Sequence, residues 1–405
     1  MNDRLQALRG IAVFLVLLQH GLVLNLVTPI GWFAPGWAGV YLFFVISGCV
    51  ITDSLIRDEA HFARFMVRRL FRLMPALLCF VVLAWLLNRL LASDIGYPLG
   101  PIQQTRFWIY SAATLTGLMQ PFIYFQFHMP VPYMFSHIWS LSVEDIFYVA
   151  FGAVAGRVLW NTMPAKTTWF LVGLVISLLV IRVLTWTSTI PWWLIYHNAA
   201  LGDVPSMVIR VLALPIMLPI GGGMDFILAG IVVSCVARSR ALPIWLPKGF
   251  LPWLIAGLLT IALLTLAGTG NPLIGTSLKQ LSQYGFPIAL LAFSLAVLLC
   301  WMDARPITLW AGKVLKHLGD LSYGLYLLHL PIAVLVSSML YRVDINWQAL
   351  RATSFNITFF CVYVAISYVL ALAMYHWVER PLITRGRRIA AQIGRPAAAP
   401  VTVSA

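Results

Sequence analysis

The feature that most constrains this chain is a succession of apolar runs, each near the length needed to cross a bilayer. They fall at about 5–28, 37–56, 73–92, 136–157, 168–189, 222–238, 250–268, 283–302, 321–341 and 354–378. A hydrocarbon core of about 30 Å takes about 20 helical residues at 1.5 Å each. Composition agrees: 61% of the 405 residues are hydrophobic and 10% are charged, against about 25% charged in a soluble domain. The expected fold class is all-α: a polytopic membrane helix bundle of about ten transmembrane helices. Two weaker pieces, 106–122 and 204–220, read as short re-entrant or interfacial segments on the outer face. The second carries Pro205, Pro215 and Pro219 before Gly221, Gly222 and Gly223. Non-helical backbone at that depth must be covered by protein or line water.

Charge sets the expected orientation. The net charge is +14, and the basic residues sit in loops beside the spans, which is the positive-inside pattern rather than a nucleic-acid footprint. The cluster Arg57, Arg64, Arg68, Arg69 and Arg72 marks a cytoplasmic loop, and so do Arg238, Arg240 and Lys248, then Arg305, Lys313 and Lys316. Arg380, Arg385, Arg387, Arg388 and Arg395 put the C-terminus on the same side. Ten spans with both termini cytoplasmic satisfy every cluster, whereas eleven would misplace one. Residues 1–383 read as one membrane domain and 384–405 as a basic, disordered cytoplasmic tail. The first span starts too close to Met1 and runs too long for a secretory signal. Cys49, Cys79, Cys235, Cys300 and Cys361 all lie in apolar stretches without a CxxC pair, so neither a disulfide framework nor a metal site is expected.

Ionisable residues inside spans are costly and rarely face lipid. Arg9 and His20 are eleven residues apart in the first span. At about 100° per residue they return to within roughly 20° of one face, about 16 Å apart along the axis. They suggest a polar path entering from one surface. His20 is then either a nucleophile or general base on that path, or a buried histidine bonded to a neighbouring helix. Arg69 and Arg72 are three apart at the entrance to the third span, ahead of Pro75, and share a face with each other. With Arg68 they suit a phosphate-bearing ligand, because each guanidinium can bind bidentately. As a plain topology anchor they would touch anionic headgroups instead.

A third group is Ser136-His137-Ile-Trp139-Ser140-Leu-Ser142-Val-Glu144-Asp145-Ile-Phe147-Tyr148. Two adjacent carboxylates at a span need donors nearby. Meeting His20, Glu144 could set its tautomer and steady its imidazolium; otherwise it pairs with an arginine at the interface. A fourth group, Gly319-Asp-Leu-Ser322-Tyr323-Gly-Leu-Tyr326-Leu-Leu-His329, places Ser322, Tyr326 and His329 on one helical face. His376-Trp-Val-Glu379-Arg380-Pro381 closes the last span. There Glu379 and Arg380 read as a local pair, and Pro381 as the helix stop.

Taken in order, these motifs resemble a known family. Arg9-x10-His20, Gly39-Val-Tyr-Leu-Phe-Phe-Val-Ile-Ser47-Gly48, Arg69-x-x-Arg72, Trp139-Ser-Leu-Ser-Val-Glu144, Leu318 through His329, and Glu379-Arg-Pro381 look like acyltransferase family 3, a family of integral membrane O-acyltransferases. The likeness runs from residue 5 to about 383. It implies transfer of an acyl group, most often acetyl, from acyl-coenzyme A to a hydroxyl, commonly on a bacterial surface or lipid-linked saccharide at the cytoplasmic (inner) membrane. It maps the family's essential pair onto Arg9 and His20, its basic pair onto Arg69 and Arg72, its acidic residue onto Glu144 and its late histidine onto His329. Asp145-Ile146 stands where the family usually has Glu-Gln.

The resulting expectation is concrete. Arg68, Arg69, Arg72 and Arg9 would hold a cytoplasmic acyl-coenzyme A, a donor substrate rather than a permanently bound cofactor. His20 would act on the acceptor hydroxyl with Glu144 orienting it, as general base or as a transient acyl-imidazole carrier. Trp139, Ser142, Tyr148, Tyr323 and His329 would line the acceptor side. The partners expected are acyl-coenzyme A, a hydroxyl-bearing glycan and membrane lipid, with no nucleic acid; oligomeric state is silent in the sequence. A transporter or flippase of a glycan or solute would use the same intramembrane charges, but no internal repeat is visible.

Overall fold

The computed structural model describes residues 2–24, 35–57, 61–91, 104–121, 131–158, 172–173, 175–176, 223–238, 254–260, 285–303, 306–342 and 353–393. Among these residues all regular structure is helical. The elements are α1 (Asp3–Leu24), α2 (Pro35–Arg57), α3 (Phe62–Leu90), α4 (Gln104–Leu115), a 3-10 turn (Tyr133–Phe135), α5 (Ile138–Val158) and α6 (Met224–Arg238). They continue with α7 (Gly285–Met302), α8 (Trp310–Asp320), α9 (Ser322–Arg342), α10 (Thr353–Met374), a π turn (Tyr375–Glu379) and α11 (Arg380–Gln392). Four stretches are long and apolar enough to cross a membrane among the described residues: Ala38–Ile56, Phe62–Leu90, Ser322–Met339 and Thr358–Gln392. Helix α4 has twelve residues, about 18 Å, and so is too short to cross. The runs expected at 168–189 and 250–268 lie largely outside the described residues, and 204–220 lies wholly outside them.

Burial separates the helices into inner and outer ones. Along α9, residues 322–338 are buried all round except for the half-buried Leu335, the signature of a helix inside a bundle. In α3, Leu78, Val82, Leu86 and Leu90 repeat every fourth residue and are exposed. Phe65, Ala76, Leu77, Phe80, Ala84 and Leu87 face inward. An exposed apolar stripe of that length fits contact with lipid.

Two glycine crossings fix the inner helices. A Cβ on Gly10 of α1 would sit 1.9 Å from the Leu315 carbonyl oxygen of α8, and one on Gly319 of α8 would sit 1.8 Å from that of Gln6. The pair Gly48 and Gly230 does the same for α2 and α6, at 1.9 Å from Ile227 O and 2.0 Å from Val45 O. Small residues let membrane helices approach backbone to backbone, where lipid supplies no hydrophobic drive. These contacts lock α1, which carries Arg9 and His20, against α8.

Two readings at the C-terminal end are corrected. Pro381 does not stop the helix: the π turn at Tyr375–Glu379 precedes it, and Pro381 lies in the first turn of α11, where its missing N–H costs nothing. The segment from 384, expected to be disordered, is helical to Gln392. Its small residues explain this: Ala390 is buried, and a Cβ on Gly386 would meet Phe71 at 2.4 Å, so α11 docks closely on α3.

Candidate functional site

Helices α1, α2, α3, α8, α9 and α11 and the π turn wall a cavity of about 700 Å³. Six cationic side chains line it: Arg9, Arg68, Arg69, Arg72, Lys316 and Arg387. Three carboxylates, Asp3, Asp320 and Glu379, oppose them. Lys316 is the most compensated, 3.7 Å from Asp3 and 3.6 Å from Asp320. Arg9, Arg69 and Arg72 have no ion-pair partner among the described residues. The Arg69 guanidinium instead lies over the rings of Tyr148, 4.4 Å from its centroid, and Phe65, at 5.5 Å, a cation–π seat. Inward-facing guanidiniums without a direct ion pair are costly to desolvate. An anionic ligand with several phosphate oxygens would offset that cost with bidentate bonds.

The cavity narrows inward past Arg9. A pocket of about 40 Å³ is bounded by Arg9, Ser47, Arg69, Arg72, Glu144, Tyr148 and Tyr323. A second, about 50 Å³, shares Arg9, Ser47, Glu144 and Tyr323 and adds Phe43, Phe44, Ser140 and Tyr326. Glu144 stands where they meet. Ser47 Oγ donates to its Oε1 at 2.8 Å and the Tyr148 hydroxyl to its Oε2 at 2.6 Å. The Tyr323 hydroxyl donates to the Leu73 carbonyl at 3.1 Å, tying α9 to α3 beside these pockets.

Beyond Ser140 and Tyr326 lies a cluster of three histidines from three helical segments. The Tyr326 hydroxyl is 2.5 Å from Ser140 Oγ and donates to the His137 carbonyl at 2.9 Å. His329 packs between His20 and His137, with ring centroids 4.9 Å and 5.0 Å away. His329 Nε2 lies 3.2 Å from His20 Nδ1, and His20 Nδ1 lies 3.0 Å from the Val16 carbonyl. Among the described residues, no group of three or more His, Cys, Asp or Glu side chains has the geometry to hold a metal.

The sequence reading meets this geometry unevenly. Arg9, Arg68, Arg69 and Arg72 converge on one cavity, and Tyr323 lines it. Glu144 joins Arg9 but not His20: it bonds Ser47 and Tyr148 and stands seven residues beyond His137, about 10 Å at the helical rise. Tyr148 is buried, with the Arg69 guanidinium over its ring, and borders the smaller pocket beside Glu144. Trp139 packs edge-on to Phe44 at 6.3 Å. Ser142 is structural: its hydroxyl donates to the Gly117 carbonyl at 2.5 Å and accepts from the Gln120 N–H at 3.0 Å, pinning the turn after α4. His329 belongs to the histidine cluster. Glu379 does not pair with Arg380 but turns into the basic cavity beside Arg72. Ser47, His137, Ser140 and Tyr326 stand in the motifs quoted from the sequence but carry no site role there, and Lys316 and Arg387 read there only as topology markers. The signal for one of them was present: the chain has only eight histidines, and His137, like His20 and His329, falls inside an apolar run.

A helical membrane protein that joins a cationic cavity to buried histidines is thus defined before any comparison with known proteins. A model of the acyltransferase-domain family, acyltransferase 3, matches residues 2–376, and the chain belongs to that family. A putative membrane-bound transacylase, BcsY, of Komagataeibacter xylinus is 37% identical over 152 residues, 36% of this chain and 34% of that protein. A putative O-acetyltransferase of Staphylococcus aureus strain COL is 32% identical over 160 residues, 37% of this chain and 24% of that protein. The peptidoglycan O-acetyltransferase OatA of Listeria monocytogenes is 23% identical over 396 residues, covering 94% of this chain and 56% of OatA. The chain thus spans only part of each of these relatives. No solved structure matches it.

Proposed function

We propose that this chain is a membrane O-acyltransferase that moves an acyl group, acetyl foremost, from acyl-coenzyme A to a hydroxyl of a surface glycan or lipid-linked saccharide. The observation that carries the reading is continuity. The large cationic cavity and the two narrow pockets all share Arg9, and the inner pocket ends at Tyr326 and Ser140, which bond the histidine segment. The donor's phosphates would sit against Arg68, Arg69 and Arg72, in a ten-span bundle of the cytoplasmic membrane with both termini inside. The thioester arm would enter past Arg9 and Glu144, with pockets of about 40 and 50 Å³ favouring a short acyl group. At the inner end the acceptor oxygen attacks the thioester carbonyl carbon as its proton passes to His20. The C–S bond then breaks, and coenzyme A leaves as the thiol after taking that proton. A positioned base of this kind contributes about 10²–10⁴-fold in rate.

The test is transfer itself. Membranes carrying the protein, given acetyl-coenzyme A labelled in its acetyl group, are expected to place label in cell-envelope glycan as an alkali-labile ester. Label that stays wholly in the donor, across acetyl and longer acyl donors, overturns the reading and restores the transporter alternative.

A further inference from the structure

We propose that His329 is the positioning partner of His20, so that a neutral histidine pair rather than a carboxylate fixes the tautomer and direction of the reacting ring. The inference rests on the acyl-transfer reading above.

The hydrogen-bond directions assign the protons. A carbonyl oxygen only accepts, so the ring nitrogen facing one carries the hydrogen. His20 Nδ1 faces the Val16 carbonyl at 3.0 Å, and His329 Nδ1 faces the Tyr326 carbonyl at 2.6 Å. Both rings are then protonated on Nδ1. His329 Nε2 keeps a lone pair and faces His20 Nδ1 at 3.2 Å. One hydrogen on His20 is thus shared between a carbonyl and a neighbouring imidazole, which leaves His20 Nε2 bare. That is the nitrogen a general base needs.

Three observations make His329 fit this task. It is wholly buried, with 0% exposure, so no bulk water competes for its Nε2. Its own Nδ1 bond holds the ring to its helix, so its lone pair points in one direction. Finally, His137 packs edge-on against it at 5.0 Å, its own Nε2 donating to the Leu327 carbonyl at 3.2 Å, which closes the far side. The carboxylate that might have served instead lies elsewhere: Glu144 bonds Ser47 and Tyr148, while His20 Nδ1 faces His329 and the Val16 carbonyl.

The chemistry gains from a neutral partner. When His20 Nε2 takes the acceptor proton, the Nδ1–H···Nε2 bond to His329 becomes charge-assisted and strengthens. The stabilisation grows as positive charge develops in the transition state and is small before it, the form of binding that raises kcat. The proton then leaves from the same Nε2 to the departing sulfur, and His329 ends unchanged.

The experiment compares His329→Leu, which removes the acceptor, with His329→Gln, whose amide oxygen can occupy the Nε2 position. Both are assayed for labelled acetyl transfer in membranes after matched insertion. His329→Leu should lower kcat by about 10²–10⁴-fold, the range spanned by a general base and its orienting partner, with the donor KM within about threefold. His329→Gln should recover at least about tenfold of that loss. In the background of His20→Ala, adding His329→Leu should cost nothing more. The proposal is overturned if His329→Leu matches wild type, if it raises KM with kcat unchanged, or if Gln recovers no more than Leu. Should His329→Leu fail to insert, the comparison of His329→Gln with His20→Ala decides: equal loss in a stably inserted Gln variant overturns it. A wild type that transfers nothing refutes the acyltransferase reading instead, and is told apart by that control.

Discussion

Replacing Gly319 with alanine should separate two helices that the site requires to be close. The new methyl carbon would start 1.8 Å from the Gln6 carbonyl oxygen. Carbon–oxygen contacts in proteins settle near 3.3 Å, so α8 and α1 must part by about 1.5 Å. The obstacle is backbone on both sides, which no side-chain rotation relieves. Overpacking of this kind costs about 1–3 kcal/mol or more. Gly10 faces the reciprocal contact, 1.9 Å from Leu315 O, and adjoins Arg9, so the same movement displaces a guanidinium at the mouth of both narrow pockets. A misplacement of about 1 Å can cost about 10²-fold in rate. The assay is thermal unfolding of purified protein in detergent, run beside acetyl transfer, with Gly257→Ala as control. Gly257 has no atom within 4 Å of a built Cβ and lies in a helix at 254–260, where alanine is favoured by about 1 kcal/mol. Gly319→Ala should melt lower and transfer more slowly, while Gly257→Ala should melt no lower than wild type. Equal melting and equal transfer for the two variants would refute the argument that the crossing is set by backbone contact.

Other outcomes follow from the same geometry. Arg69→Ala and Arg72→Ala should each raise the KM for acyl-coenzyme A about 10–100-fold, the value of a charge-assisted bond of about 1.5–3 kcal/mol, with kcat nearly unchanged; steady-state kinetics at varied donor checks this. Ser142→Ala should lower thermal stability by about 1–2 kcal/mol, since its hydroxyl satisfies two backbone groups of the turn at 117–120, yet leave the donor KM alone. A large KM change there would return Ser142 to the substrate side.

The helical class was legible because span length is a property of runs, and α1, α2, α9 and α10 fall where their apolar runs predict; α3 instead starts at Phe62, eleven residues before its run, so Arg64 to Arg72, expected in a loop, are helical. The arginines were legible for a similar reason: Arg69 and Arg72 share a face by helical spacing, and Arg9 shares one with His20. Partner choice across helices was not, because it depends on depth. Glu144 and His20 both lie in apolar runs, but Glu144 shares its pockets with Arg9, while His137, seven residues earlier, stands with His20 against His329. Sequence spacing gives the distance along one helix and says nothing of the offset between two. The C-terminal correction has a local cause instead: a π turn ahead of Pro381 lets the chain pass a residue that otherwise ends helices.

The central claim is that donor cavity and histidine cluster form one transfer path with the acyl group changing hands at His20. The most direct test is a single turnover of labelled acetyl-coenzyme A by purified, reconstituted protein, comparing wild type with His20→Ala in the presence of envelope glycan. The account predicts that His20→Ala binds coenzyme A as wild type does, through Arg69 and Arg72, but forms no ester above background. Equal ester formation by the two proteins would contradict it.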